Sequence, residues 1–570
     1  MGIRLGMVVH QTRPAREPAS FSCNRLYFAA ATLLLVLLAS WTLPVFAAPD
    51  AVIEALRTRI EQLRSGNDVV ADGAHIAART LIPQLYEKRA FEPVWNEERE
   101  ATLRTLIQES VTHGLDPDDY HAAAMQFAAP ARDALAIANR ELLYTDALIR
   151  LVYHYHFGKV NPRELYADWN FARTLGAIKP IEAVEALVSA PDLRMAVERY
   201  APRLRVYRAL QRALAEYRAI AQSGGWPELP AGPVLRPGMS DARVPLLRAR
   251  LNAIGNGDAA VATSERYDDE LVSRMQQFQA HHGLDTDGVI GESTRKVLNV
   301  PVEARIEQLR VNLERVRWVA QDIPDEFLLV DIAGFNARLY KDGVPVWSSR
   351  VVVGRPYRKT PVFRASIRYL VLNPTWTVPP TILREDVLPK VIANPDYLVR
   401  NNMQVVDSTG RTIDPASIDW SRYRGARFPY QIVQAPGADN SLGSIKFMFP
   451  NPYAVYLHDT PARALFQKSA RTFSSGCIRV EHARELGVTL LDDPVQWGSA
   501  HLEAAIAEGK TRTVMLKQPL PVLLLYFTAE ATEEGEVFFR PDVYDRDPNV
   551  RKALAARFHF SPLSDTATKR

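Results

Sequence analysis

Between residues 50 and about 225, apolar side chains recur at three- and four-residue intervals, as in Ala51-Val-Ile-Glu-Ala-Leu-Arg-Thr-Arg-Ile and Leu142-Leu-Tyr-Thr-Asp-Ala-Leu-Ile-Arg-Leu-Val-Tyr. That period predicts helices. Breakers at Gly114, Asp116-Pro117, Gly158, Asn161-Pro162 and Pro180 cut the stretch into several short ones, giving a helical domain over 48–230. A turn-rich linker, Gly224-Gly-Trp-Pro to Gly232-Pro233, leads into a second unit at 231–300, with helical patterns in Val244-Pro-Leu-Leu-Arg-Ala-Arg-Leu and from Asp268 to Gln279. Within 301–325 one bridging helix is expected over 302–320, where Ile306, Leu309, Leu313 and Val316 share a face. From 326 the period changes to two. Phe327-Leu-Leu-Val-Asp-Ile, Asn336-Ala-Arg-Leu-Tyr, Pro345 to Val353, Ile367 to Leu372, Ser444 to Phe449 and Ala454 to Leu457 read as strands of a mostly β domain over 326–517. Its stretch 378–428 carries prolines at 379, 380, 389, 395 and 415 and reads as an insertion, either a lid or binding loop or a passive excursion. The tail, 518–570, is expected to return as strands without chemistry of its own. The fold class is therefore multidomain α+β.

A length of 570 residues allows three or four such domains. The formal charge of +4 lies mostly in the first 47 residues, so the remainder is nearly neutral and nonspecific nucleic-acid binding is excluded as its main task. That opening segment places Arg4, Arg13, Arg16 and Arg25 before an apolar run, Leu26 to Leu43, and then Val45-Phe46-Ala47. Residues 1–47 thus read as a signal peptide, with an uncleaved inner-membrane anchor as the alternative; either places the body outside the cytoplasm. Removing the leader removes Cys23 and leaves Cys477 as the single thiol, which excludes a disulfide framework and a four-thiolate zinc site. His154 and His156, two apart, fall on different helix faces and are expected to pack rather than bind metal. Trp95, Tyr144, Tyr153, Tyr155 and Trp169 fit a sugar-binding surface or ordinary core packing.

The chemistry concentrates in Tyr456-Leu-His458-Asp459-Thr460, fourteen further residues, then Ser475-Gly476-Cys477-Ile478-Arg479-Val480. A thiol nucleophile needs a base to take its proton, and a histidine ending one β segment supplies one. Gly476 gives backbone freedom beside the sulfur, where amide N–H groups at Ser475 to Cys477 are expected to face an oxyanion.

His458, Ser474, Gly476, Cys477, Ile478 and Arg479 together resemble the active-site motif of the L,D-transpeptidase family. Leu235, Gly238, Val244, Leu247, Leu251, Tyr267, Phe278, Gln279, His282, Gly283, Leu284, Asp287, Gly288, Gly291, Thr294 and Leu298 resemble the small three-helix peptidoglycan-binding module. The order of segments is similar to that of the large L,D-transpeptidases of Gram-negative bacteria, which implies a periplasmic location and, for the insertion at 378–428, a substrate cap. The resemblance implies acyl transfer on peptidoglycan stem peptides without metal, nucleotide or organic cofactor. Cys477 would attack the carbonyl joining a diamino acid at position three to D-Ala at position four of a tetrapeptide donor. His458 would protonate the departing D-Ala, and the amine of a diamino acid acceptor would resolve the thioester into a 3→3 cross-link. Hydrolysis, exchange, attachment of a wall-bound protein and an inactive wall-binding scaffold are the alternative outcomes. Partners among wall-synthesis proteins are implied without identity, and carbapenems are expected to acylate the cysteine.

Two positions depart from many smaller members, which have glycine at Asp459 and a second histidine at Ser475. The family's histidine is oriented by the following residue's carbonyl, with the Asp459 carboxylate as the alternative here. Arg479 is expected to hold a substrate carboxylate or lower the thiol pKa, against a structural ion pair. Trp376 stands at the insertion's entrance, lining the groove or packing there. Tyr456 and Ser474 complete the expected substrate contacts.

Overall fold

The computed structural model describes residues 48–127, 133–254, 263–423 and 427–560, so the expected leader lies outside the described residues. Among the described residues of 49–222 helices predominate beside one short hairpin, the longest helix being Ala134–Phe157, whose residues from 141 to 152 are buried on every side. His154 bonds through Nδ1 to the Tyr120 hydroxyl at 2.8 Å, while His156 packs edge-on against Tyr200. The three helices of the second unit, Val244–Asn252, Asp269–His281 and Glu292–Leu298, close over Leu235, Leu247, Tyr267, Leu271, Met275 and Leu298. Several of its signature residues serve this packing. The Gln279 amide donates to Asp287 at 3.0 Å, and the His282 ring stacks on Phe278 and on Phe539 of the tail.

The bridging helix, Val302–Val319, is more than the one-faced strut its period predicts. Its second half is buried all round, including Asn312, Glu314, Arg315 and Arg317. Burying those charges requires partners. Arg317 pairs with Glu314 at 2.5 Å and donates to the His113 carbonyl at 2.7 Å; Glu314 also accepts from Val160 N–H and the Trp318 indole. The helix thereby fastens the helical domain to the β domain.

Nine strands build that domain: β1 (Glu326–Asp331), β2 (Asn336–Lys341), β3 (Val344–Gly354), β4 (Phe363–Leu372), β5 (Ile445–Met448), β6 (Leu457–His458), β7 (Thr472–Ser474), β8 (Ile478–Val480) and β9 (Arg512–Leu525). Their order is β7-β3-β8-β6-β5-β4-β9-β1-β2, and β2 also pairs with β3, closing the sheet on itself. Alternate side chains, among them Val330, Leu339, Val351, Leu370, Phe447, Leu457, Ile478 and Leu524, fill the interior.

Two boundaries differ from the sequence reading. The insertion is bounded by strands that pair with each other, Trp376–Thr377 against Gln431–Gln434, so it spans 376–434 rather than 378–428. It has its own core, including Val391, Leu398, Val405 and Ile432. The break expected at 517 falls inside β9. A register shift between Met515 and Leu520 interrupts the strand, which then runs on beside β1.

Candidate functional site

Residue parity and register set the site. In the parallel pair β6–β8, Leu457 lies opposite Ile478 and His458 opposite Arg479. Leu457 and Ile478 are both fully buried in the barrel interior. Strand alternation therefore turns Tyr456, His458, Cys477 and Arg479 to the other face. The antiparallel pairing of β5 puts Lys446 opposite His458, and its ammonium sits 3.8 Å from the centre of the Tyr456 ring. The spacing of nineteen residues thus becomes adjacency across two strands.

The His458 ring is buried, and its Nδ1 lies 2.5 Å from the Asp459 carbonyl oxygen. A carbonyl only accepts, so Nδ1 carries the proton there, and a second backbone hydrogen bond, to Leu442, also favours the protonated ring. The Asp459 carboxylate faces elsewhere: one oxygen accepts from Ser444 N–H and Oγ at 2.9 and 2.8 Å, and the other pairs with Arg463 at 2.6 Å. These contacts are with Ser444 and Arg463, while the ring of His458 is met by the Asp459 carbonyl. Burial, followed by the nearby Arg479 charge, pushes the His458 pKa down to about 3.

Cys477 is half-buried and donates its thiol toward the Ala454 carbonyl at 3.8 Å. Burial raises its pKa, and contacts with Tyr456 together with the charges of Lys446 and Arg479 oppose that rise. The Tyr456 hydroxyl interacts with the sulfur and with the Trp376 side chain, while its ring meets His458 edge-on at 5.7 Å between centroids. Trp376 is half-buried at the insertion's entrance, in contact with the site through Tyr456. Neither Arg479 nor Lys446 has a carboxylate partner among the described residues, and the buried Arg479 Nε has no acceptor, so the structural ion pair is not formed.

The nucleophile turn is tightly braced. Ser474, expected to touch substrate, is buried; its Oγ donates to the Cys477 carbonyl at 2.5 Å and accepts from Gly476 N–H at 3.1 Å. The Gly476 N–H, expected to face an oxyanion, is thus taken by Ser474 Oγ. Gly476 has φ +115°, a region other residues rarely adopt. Its carbonyl accepts from Thr360 Oγ1 at 2.9 Å, and Thr360 Oγ1 also accepts from Gly354 N–H. Tyr544, in the tail, accepts from Thr360 N–H at 3.1 Å and donates to the Gly354 carbonyl at 2.6 Å. Gly354 must be glycine because a Cβ there would meet the Arg358 carbonyl at 2.1 Å. Ser475 Oγ accepts from Arg358 Nη1 at 2.7 Å. The sequence reading missed Thr360, Tyr544, Arg358 and Lys446. For Lys446 a signal existed, since β5 and β6 were both expected; the other three lie in loops without a motif.

Comparison with known proteins follows this geometry. Residues 325–496 match the L,D-transpeptidase catalytic domain, residues 240–298 the family described as "Putative peptidoglycan binding domain", and residues 80–214 a scaffold domain. The chain thus carries an L,D-transpeptidase catalytic domain together with a peptidoglycan-binding domain. More particularly, it is 38% identical over 249 residues to a Haemophilus influenzae protein named "Putative L,D-transpeptidase"; the match covers 43% of this chain and about half (49%) of that relative. Solved structures also match, among them an L,D-transpeptidase from Mycobacterium smegmatis at 12% identity, covering 35% of this chain and 58% of that one with a TM-score of 0.17. Another, from Xylanimonas cellulosilytica, is matched at 14% identity over 52% of this chain and 100% of that one with a TM-score of 0.18. Similarity at that level carries no further weight. Among the described residues no helix is long and apolar enough to cross a membrane.

Proposed function

We propose that this chain is a periplasmic L,D-transpeptidase that forms 3→3 cross-links between stem peptides through a thioester at Cys477. The observation that carries the reading is the β6–β8 register, which gathers Tyr456, His458, Cys477 and Arg479 on one face, with the Asp459 carbonyl fixing the imidazole tautomer. In the resting site both thiol and imidazole are neutral. His458 Nε2 takes the thiol proton as the sulfur attacks the carbonyl between residues three and four of a tetrapeptide. The tetrahedral oxyanion is held by the Ser475 and Cys477 amides, which have no acceptor among the described residues. The histidine then returns the proton to the departing D-Ala, leaving the thioester. The unpaired charges of Arg479 and Lys446 suit the terminal carboxylate of the donor, one residue beyond the scissile carbonyl. A diamino acid amine on a second stem attacks the thioester, passes its proton to His458 and frees the thiol. Disaccharide tetrapeptides incubated with the protein should yield 3→3 dimers, with none from Cys477→Ala. Dimers at wild-type yield from that variant would refute the reading.

A further inference from the structure

The insertion touches the nucleophile turn through one side chain. Arg358 lies in the loop that follows β3, and its guanidinium reaches three acceptors at once. Nη1 meets Ser475 Oγ at 2.7 Å and also the Asp386 carboxylate, while Nη2 meets Glu385 at 2.6 Å. Glu385 and Asp386 belong to the insertion, in the π-helical turn Leu383–Val387, a geometry frequent at functional sites. Arg384 caps the cluster by pairing with Glu385 at 2.6 Å, so two positive and two negative charges balance. The Arg358 side chain is only 10% exposed, which strengthens such bonds relative to those of a surface pair. Ser475 is small enough to admit the guanidinium and offers it an oxygen, immediately before Gly476 and Cys477. The insertion also meets the site through Trp376, which contacts Tyr456.

We infer that Arg358 is a positioning residue that couples the insertion to the nucleophile turn, so that the seating of the insertion sets the geometry of Ser475-Gly476-Cys477. This rests on the function proposed above, in which the Ser475 and Cys477 amides receive the oxyanion. A guanidinium fork is required because three acceptors lie in different directions; an ammonium is a point charge without the fork. A shift of the turn by about 1 Å would cost on the order of 100-fold in rate while leaving the sulfur's own reactivity nearly unchanged.

The test compares Arg358→Ala, Arg358→Lys and the double variant Glu385→Gln/Asp386→Asn, whose changes lie on the exposed side of the insertion and leave the barrel intact. The readouts are amide hydrogen exchange at 474–477 in the unliganded protein, kcat and KM for tetrapeptide cross-linking, and alkylation of Cys477 by iodoacetamide. We expect the double variant and Arg358→Ala each to speed exchange in the turn and lower kcat about 10- to 100-fold, with KM and alkylation within about threefold. The Ala change combined with the double variant should be no worse than Arg358→Ala alone, and Arg358→Lys should recover only part of the loss. Wild-type exchange and kcat in the double variant would overturn the coupling, as would fully additive losses. If the wild-type protein makes no cross-links, the proposed function fails, while the exchange measurement still decides whether the insertion braces the turn.

Discussion

A neutral thiol beside a neutral imidazole should show itself in the pH dependence of acylation. His458 titrates at about 3 because the ring is buried near Arg479. At pH 5 it would be about 99% neutral, whereas an imidazole at the ordinary value near 6.5 would be about 3% neutral. An ordinary base would therefore lose roughly 25-fold in rate between pH 7 and pH 5, whereas this one loses almost nothing down to about pH 4. On the alkaline side, the raised thiol pKa means that alkylation by iodoacetamide, which needs the thiolate, should climb about tenfold per unit from pH 6 to pH 8. The assay pairs carbapenem acylation, followed by intact mass, with alkylation over the same pH series. An acid limb near pH 6.5 in acylation would reveal an imidazole with its ordinary pKa, and an alkylation rate already level below pH 7 would reveal a preformed thiolate–imidazolium pair; either would refute the reasoning.

Asp459→Asn should keep kcat within about fivefold, since the carbonyl orients His458, while stability falls by ~1–3 kcal/mol from the disturbed Ser444 and Arg463 contacts. A loss near 10⁴-fold, as when a triad carboxylate is neutralised, would make the carboxylate the orienter after all. Tyr544→Phe removes the hydroxyl joining Thr360 to Gly354 and should cost ~1–3 kcal/mol in urea unfolding, with a lower kcat and an unchanged rate of thiol alkylation. Wild-type kcat in that variant would separate the tail from the site. Acid should destabilise the fold: His113, His156 and His458, titrating at about 3, 4 and 3, refuse protons that the unfolded chain accepts below about pH 6.5, so stability is lost as pH falls from there toward 3. A Tm that stays level between pH 6.5 and pH 4 would contradict this.

The sequence marked Cys477 and His458 as partners, yet their spacing could not say that β6 and β8 run parallel with Leu457 opposite Ile478. That register depends on strands brought together from distant parts of the chain. The amides proposed to hold the oxyanion were legible as a segment but not singly, because only coordinates show Ser474 Oγ taking the Gly476 N–H. The resemblance left carbonyl and carboxylate of Asp459 both open, and in the fold it is the carbonyl that lies against His458 Nδ1. Arg358, Thr360 and Tyr544 act through single long-range bonds, for which periodicity gives no signal. The boundary at 517 falls inside one strand because a register shift lets β9 continue past it, which a local period does not reveal. The insertion was recognised from its prolines, while its closure by Trp376–Thr377 against Gln431–Gln434 lay beyond local pattern.

The central claim is that the sulfur of Cys477 carries the acyl group. Mixing the protein with a tetrapeptide donor that lacks any acceptor amine, quenching in acid and weighing the intact chain tests it. The account predicts one adduct with the mass of the stem less D-Ala, located at Cys477 by fragmentation and absent from Cys477→Ala; the same adduct in Cys477→Ala, or one located at another residue, would contradict it.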